Sequence, residues 1–198
     1  MNNLSIDDSF LIDQVVEEVT RVINSTFCLE SQKIVDSAVE ITQCLARGGK
    51  VMWIGNGGSA SQSQHFSAEL IGRLDISRSP YASIALTSDG CALSCIANDF
   101  GFDQVFSRQI SGLGEPDDWL ISISTSGSSS NILKAIKKAR SMNISCLLLT
   151  STMCDLPDDV GLTIVRVQSS DTARVQEVHE IIGHLLCSMI QSRLEMSK

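Results

Sequence analysis

The chain has 198 residues, 43% of them apolar, which is enough for one domain with a sizeable buried core. Fifteen basic and 23 acidic side chains give a net charge of −8, which argues against direct binding to nucleic acid. No segment approaches the roughly 18 apolar residues that cross a membrane, so we expect no membrane partner. Residues 1–10 lack the basic start and apolar run of a signal peptide, and we therefore expect a cytoplasmic protein.

The seven cysteines predict reduced thiols rather than disulfides. Their number is odd, and several lie in apolar runs, as Cys146 does before three leucines. Cys91 and Cys95 are four residues apart, but no second pair completes a zinc-finger spacing. We therefore do not expect a cysteine-based metal site.

Two helices are predicted before the first strand, over residues 8–28 and about 31–47. Their apolar stripes consist of Val15, Val19, Val22 and Ile23, and of Ile34, Ala38, Ile41 and Leu45. Gly48 and Gly49 are predicted to end the second helix. We expect residues 1–48 to form an antiparallel helical arm, and we favour a role for this arm in oligomerisation.

Strands and helices alternate from Lys50 onward. The predicted strands are 51–54, 82–86, 119–124, 145–149 and 162–167, and the predicted helices are 60–74, 89–97, 104–110, 129–142 and 171–195. This alternation indicates an α/β fold with an open five-stranded parallel sheet covered by helices on both faces. We expect one domain over residues 1–198.

A glycine-rich turn separates the first strand from its helix. The turn reads Gly55-Asn56-Gly57-Gly58-Ser59. Its glycines permit positive φ and a close approach of backbone to ligand, and the following helix N-terminus offers free amides, an arrangement that attracts phosphate. A loop of an unrelated α/β protein is the simpler alternative. A dinucleotide-binding turn is less favoured, because no third glycine follows.

His65 and Glu69 lie four residues apart on the helix after this turn, so both project from one face. An imidazole and a carboxylate at this spacing can bind a metal or divide acid–base work. Taken alone, the pair is more often part of a solvated helix face than a functional site.

A second turn, rich in serine, follows the third strand. It lies where ligands bind in an open α/β sheet, at the carboxyl end of a strand. Hydroxyl groups are offered by Ser124, Thr125, Ser126 and Ser129. The turn contains no lysine or arginine, so neutral donors and the helix dipole would hold a phosphate there. The alternative is a serine-rich loop that only caps its helix.

The two turns, GNGGS and STSGSS, together resemble the sugar isomerase (SIS) domain family, whose members bind phosphorylated sugars. Within it, the segments HFSAEL, ANDFGF and VQEVHEIIGH resemble the phosphoheptose isomerases, and the similarity runs from about Lys50 to Met189. The resemblance implies that the chain converts sedoheptulose 7-phosphate to D-glycero-D-manno-heptose 7-phosphate through an enediol. That reaction is the first step toward the ADP-heptose used in bacterial surface polysaccharides such as lipopolysaccharide. The resemblance also implies a homotetramer with active sites between subunits and one Zn²⁺ per subunit.

The same resemblance assigns roles to individual residues. The substrate-binding set is Asn56, Gly57, Gly58, Ser59, Glu69, Asn98, Asp99, Ser124, Thr125, Ser126, Ser129 and Gln176. The metal ligands are His65, Glu69, Gln176 and His184, and the catalytic residues are Glu69, acting on the carbon-bound proton, and His184, acting on oxygen. Helical spacing permits Gln176 and His184 to share a face, but it also permits a Glu180–His184 pair. His179 points elsewhere by helical phase, although spacing alone does not exclude it.

One position departs from the resemblance. Related proteins often carry an aspartate three residues before the metal-binding histidine, where this chain has Gln62. An amide supplies no negative charge near a metal. Asp171 resembles an acidic position that assists proton transfer in some members. Two other functions therefore stay open, a non-catalytic SIS protein that binds a replication initiator and an isomerase of another sugar phosphate.

Overall fold

The structure is a computed structural model that describes residues 8–159 and 161–196. Its helices are α1 (Asp8–Ala46), α2 (Gly58–Ile71), α3 (Gly90–Phe100), α4 (Val105–Leu113), α5 (Ser130–Ser141) and α6 (Thr172–Met196), with a 3₁₀ turn at Phe102–Gln104. Its strands are β1 (Val51–Gly55), β2 (Ser83–Ala85), β3 (Trp119–Ile123), β4 (Ser145–Ser151) and β5 (Leu162–Val167). Each predicted strand is found within a few residues of its expected bounds.

The strands form one parallel sheet in the order β2-β1-β3-β4-β5, which confirms the predicted fold class. Neighbours β1 and β3 pair along their full lengths, and Gly55 at the end of β1 lies opposite Ile123 at the end of β3. The two predicted turns therefore leave the sheet side by side.

Helices cover both faces of the sheet. On one face α1, α2 and α6 pack against Trp53, Ile121 and Leu149. On the other, α4 and α5 pack against side chains such as Ile54 and Leu148. Because helices cover both faces of the sheet, β1 and β3 are buried throughout and have an apolar or small residue at every position.

The prediction of two N-terminal helices is wrong: α1 is one continuous helix of 39 residues. No glycine or proline lies between Asp8 and Ala46, so nothing in the sequence stops the helix near residue 30. The predicted end is confirmed, since Gly48 has φ +89° and the Gly49 amide donates to the Cys44 carbonyl at 3.0 Å.

The outer edge of β5 is closed by side chains. The Ile164 amide donates to Asp158 Oδ1 at 3.0 Å, and Lys33 Nζ donates to the Ile164 carbonyl at 2.9 Å. Burial raises the pKa of Asp158, but hydrogen bonds from Lys33 and the Ile164 amide outweigh it and hold this pKa below its usual value. An edge occupied in this way cannot recruit another strand.

All seven cysteines are free thiols, as predicted. Four of them are buried, and burial raises the pKa of Cys146 and of Cys187 to about 12. In the described part of the chain, no helix is both long enough and apolar enough to span a lipid bilayer.

Candidate active site

The two turns that follow β1 and β3 are joined by a pair of amides. Asn56 Nδ2 donates to Asn131 Oδ1 at 3.0 Å, and Asn131 Nδ2 donates back to Asn56 Oδ1 at 2.9 Å. Asn131 is only 3% exposed, and its Oδ1 also accepts the Ile132 amide. The structure thus brings the glycine turn and the serine turn together at the carboxyl ends of β1 and β3.

The helices that begin at these turns lack side-chain caps. The residues at the N-cap positions, Gly57 before α2 and Ser129 before α5, make no side-chain hydrogen bond to the first turn of their helix. By contrast, Asp89 accepts the Ala92 amide at 2.9 Å to cap α3, and Asp171 accepts the Ala173 amide at 2.8 Å to cap α6. The alternative of a serine that only caps α5 is therefore wrong. Both helices begin at the turns, so the positive ends of their dipoles face an anion bound there.

The serine turn is shaped by its own hydroxyl groups. Ser124 Oγ accepts the Gly127 amide at 3.2 Å, and Ser126 Oγ accepts the Ser128 amide at 3.3 Å. Gly127 has φ +65°, and a Cβ at this position would lie 2.5 Å from Cys154 Sγ. Glycine is therefore required there. Thr125, Ser126 and Ser129 are half-buried and line the turn beside it.

Two imidazoles from different helices meet beside the turns. His65 Nε2 on α2 lies 2.9 Å from His184 Nε2 on α6, and the rings are edge-to-face with centroids 5.0 Å apart. The helices approach this closely because residue 183 is glycine: a Cβ there would lie 2.1 Å from the Phe66 ring. Each histidine side chain is 42% exposed, so the pair is open to a ligand.

Carboxylates and amides surround this pair. Glu69 Oε1 lies 3.9 Å from His65 Nε2, and Glu180 Oε1 lies 3.4 Å from the same nitrogen and 3.9 Å from His184 Nε2. Gln62 Nε2 donates to Glu180 Oε2 at 2.9 Å and to the Gln176 carbonyl at 2.8 Å. Glu69 Oε2 and Gln62 Oε1 are buried with no hydrogen-bond partner among the described residues. Two imidazoles, two carboxylates and orphaned oxygens suit a divalent cation such as zinc.

Gln176 connects this cluster to the glycine turn. A Cβ added at Gly58 would lie 2.9 Å from Gln176 Nε2, so the amide lies against the first residue of α2. Of the metal ligands implied by the resemblance, the structure therefore places His65, Glu69 and His184 together and Gln176 beside them.

Asn98 and Asp99 form no hydrogen bond with this cluster among the described residues. Both are exposed on α3, and their hydrogen bonds stay on that helix, since Asn98 Nδ2 donates to Asp99 Oδ1 at 2.8 Å and Cys95 Sγ donates to Asp99 Oδ2. Within the described chain, no side chain of α3 is buried.

The third histidine has a different environment. His179 is fully buried, its Nε2 lies 3.2 Å from the Thr150 carbonyl, and burial lowers its pKa to about 4. It is a neutral packing residue at physiological pH, and it points away from the imidazole pair, as its helical phase predicted.

Sequence reasoning missed Asn131 and did not choose Glu180. Asn131 follows the serine turn, and nothing in its sequence neighbourhood marks a bond to a residue 75 positions away. For Glu180 the signal was available, because the spacing allowed a pair with His184, but spacing could not show that α2 brings His65 to the same carboxylate.

Comparisons with known proteins decide the family. Residues 14–151 match the SIS domain family. Phosphoheptose isomerase 1 from Campylobacter jejuni is 44% identical over 180 residues, which are 91% of this chain and 96% of that protein. The chain belongs to the SIS domain family, among its phosphoheptose isomerases.

Solved phosphoheptose isomerases have the same fold. The enzyme from Neisseria gonorrhoeae superposes with a TM-score of 0.85 at 35% identity, and that from Francisella tularensis with 0.89 at 33%. In both comparisons the alignment covers 93% of this chain and 98% of the other. The resemblance carried by the two turns is therefore confirmed over nearly the whole length.

Proposed function

We propose that this chain converts sedoheptulose 7-phosphate to D-glycero-D-manno-heptose 7-phosphate. The proposal rests on the imidazoles of His65 and His184, which lie beside the glycine turn and the serine turn. Both turns leave the carboxyl ends of neighbouring strands, and neither N-cap residue makes a side-chain hydrogen bond to the helix that follows it. Gly58 and His65 are seven residues apart on α2, which is about 10 Å along the helix axis. That span suits an extended seven-carbon sugar phosphate, with its phosphate at the turns and its carbonyl end at the imidazoles.

Phosphate binding at the turns would position the reacting carbons. The hydroxyls of Ser59, Ser124, Thr125, Ser126 and Ser129 are neutral donors, and the dipoles of α2 and α5 favour an anion at the turns. Binding the phosphate away from the reacting carbons restricts the substrate before chemistry begins, which lowers the entropic part of the barrier.

Aldose–ketose isomerisation needs a base at carbon and an acid at oxygen. Glu69 is suited to remove the proton from C1, because its Oε2 is buried without a partner among the described residues and its Oε1 lies toward His65. His184 is suited to move protons between the substrate oxygens, because its ring is open to the site. The resulting enediol is then protonated at C2 to give the aldose.

The donors around the imidazole pair also suit one zinc ion per subunit. His65 and His184 would hold it, with carboxylate and amide oxygens from Glu69 and Gln176 as the resemblance implies. Such an ion supplies Lewis-acid polarisation of the substrate carbonyl, a contribution of several kcal/mol.

A neighbouring subunit would complete the site. Asn98 and Asp99 are expected to meet the sugar hydroxyls, yet within one subunit α3 is unburied and carries the exposed Phe100 and Phe102 nearby. A homotetramer with active sites between subunits would cover these side chains and bring the two polar residues to a neighbour's turns. The cytoplasmic location stays a prediction from the N-terminal sequence.

The non-catalytic SIS regulator is not favoured. Phosphoheptose isomerases match this chain at 42–44% identity over more than nine-tenths of its length, and the imidazole pair is present. Isomerisation of a shorter sugar phosphate would use the same turns, so the assay should include pentose and hexose phosphates.

The test is to assay Glu69→Gln and His184→Gln with sedoheptulose 7-phosphate. We expect each substitution to lower kcat by at least about 100-fold, in the range that general acid–base groups contribute. Gln64→Ala on the same helix is the matched control, because that side chain bonds only the Thr87 carbonyl. Near wild-type turnover in either site variant would show that these roles are wrong.

A further inference from the structure

The imidazole pair faces a carboxylate that the resemblance does not assign. Glu180 Oε1 on α6 lies 3.4 Å from His65 Nε2 and 3.9 Å from His184 Nε2. One ligand atom from each of His65, Glu180 and His184 lies within 4.8 Å of the others. Glu69 is not part of this group, and its carboxylate Oε1 lies 3.9 Å from His65 Nε2.

The direction of approach indicates what Glu180 does. A carboxylate that only orients a metal-binding imidazole bonds the ring nitrogen that points away from the metal. Here one oxygen faces the Nε2 atoms of both rings, and these are the atoms that face each other at 2.9 Å. Glu180 therefore lies on the side where a shared cation would bind.

Gln62 holds Glu180 in this position. Its Nε2 donates to Glu180 Oε2 at 2.9 Å, which leaves Oε1 turned toward the imidazoles. Gln62 is a neutral amide, so α2 provides no negative charge at this position. In this chain the charge comes from α6 instead.

We infer that Glu180 is a ligand of a divalent metal bound by His65 and His184, which allows Glu69 to leave the metal and act as the base. The second clause rests on the proposed function; the first does not. A carboxylate bound to a cation is a weaker base, because the cation stabilises its anionic form. When Glu180 binds the cation and Glu69 acts as the base, neither carboxylate has to do both.

The experiment is a zinc titration of the metal-free protein against a chromogenic chelator. Glu180→Gln should lower zinc affinity by at least about 100-fold, beyond the 10–100-fold typical of groups that only orient a ligand. Glu40→Gln, an exposed carboxylate on α1, makes the same charge change away from the site and should leave affinity unchanged. Glu69→Gln should lose less affinity than Glu180→Gln while losing turnover.

A charge swap separates ligation from damage to the fold. Combining Glu180→Gln with Gln62→Glu returns a carboxylate to the opposite end of the same hydrogen bond, and we expect part of the zinc affinity to return. The absorption spectrum of the Co²⁺-loaded protein should change in Glu180→Gln, because the ligand set changes. Wild-type zinc affinity in Glu180→Gln, or a loss with an unchanged Co²⁺ spectrum, would overturn the inference.

The two proposals can fail separately. If the wild-type chain isomerises sedoheptulose 7-phosphate but Glu180→Gln binds zinc normally, Glu180 is only a surface ion-pair partner and the function stands. If Glu180→Gln loses zinc but the wild type converts no sugar phosphate, the ligand assignment stands and the function fails.

Discussion

The three histidines show how local environment assigns a role to one residue type. His65 and His184 are half-exposed and meet at 2.9 Å, whereas His179 is fully buried and its pKa is lowered to about 4 by that burial. The first two are accessible to solvent, to a substrate or to a cation. The third stays neutral and stabilises the packing of α6 on β4.

The amide pair between the turns should matter for both stability and substrate binding. Asn131→Ala removes both bonds to Asn56 and leaves a part-buried amide unpaired, so we expect the free energy of unfolding to fall by about 1–3 kcal/mol. It should also raise KM for the sugar phosphate more than it lowers kcat, because the turns bind the phosphate.

Urea unfolding and steady-state kinetics measure these two effects. Ser141→Ala, at the exposed far end of α5, is the control. Unchanged stability and unchanged KM in Asn131→Ala would contradict the role given to this pair.

Residue spacing predicted part of the site and left part undecided. The four-residue spacing of His65 and Glu69 and the eight-residue spacing of Gln176 and His184 are local properties of helices, and the sequence states them directly. Whether Glu180 joins them depends on how α2 packs on α6, which Phe66 and Gly183 decide through a contact that no pattern within either helix reveals.

At the scale of elements, strands were predicted more accurately than the first helix. A strand buried on both faces is a short apolar run with clear ends, and β5 was predicted with its observed bounds. In α1 the buried face continues through Thr26 and Glu30, polar residues that interrupt the apolar stripe between Val22 and Ile34. Such an interruption does not end a helix.

The first third of the described α1 helix buries none of its side chains against the rest of the chain. Its apolar side chains are exposed, with Ile12 at 62% and Val16 at 59%, and the first buried residue of the described helix is Val22. An exposed apolar stripe on a helix is typical of an oligomer interface. This observation supports the proposed homotetramer.

Substituting that stripe should change assembly without unfolding the domain. We expect Ile12→Ser combined with Val16→Ser to shift the sedimentation coefficient toward smaller species, with circular dichroism unchanged. Asp13→Ser combined with Glu17→Ser changes the adjacent face at the same spacing and should leave assembly intact. A wild-type sedimentation profile in the Ile12 and Val16 variant would contradict the interface.

For the whole molecule, sheet order decides where the site lies. In the order β2-β1-β3-β4-β5, the chain reverses direction across the sheet between β1 and β3, and open α/β sheets bind ligands at such a switch point. Both turns lie there. Each turn could be predicted from its own sequence, but their adjacency depends on the order of the strands, which a pattern of alternating elements does not determine.

The overall charge also fits the way the site would hold its ligand. The chain carries −8 and neither turn contains a basic side chain, so a phosphate would be held by amides, hydroxyls and helix dipoles. Such a site binds phosphate only when its donors are correctly placed. The amide pair of Asn56 and Asn131, together with Gly127, fixes the conformation of the turns that carry them.

The central claim is that this site moves a proton between C1 and C2 of a seven-carbon ketose phosphate. The most direct measurement is proton NMR of sedoheptulose 7-phosphate incubated with the zinc-loaded protein in D₂O. We predict that D-glycero-D-manno-heptose 7-phosphate forms with deuterium at C2, because the enediol is protonated by a group that exchanges with solvent, and that Glu69→Gln abolishes this signal. No aldose above the protein-free control, or equal conversion by Glu69→Gln, would contradict the account.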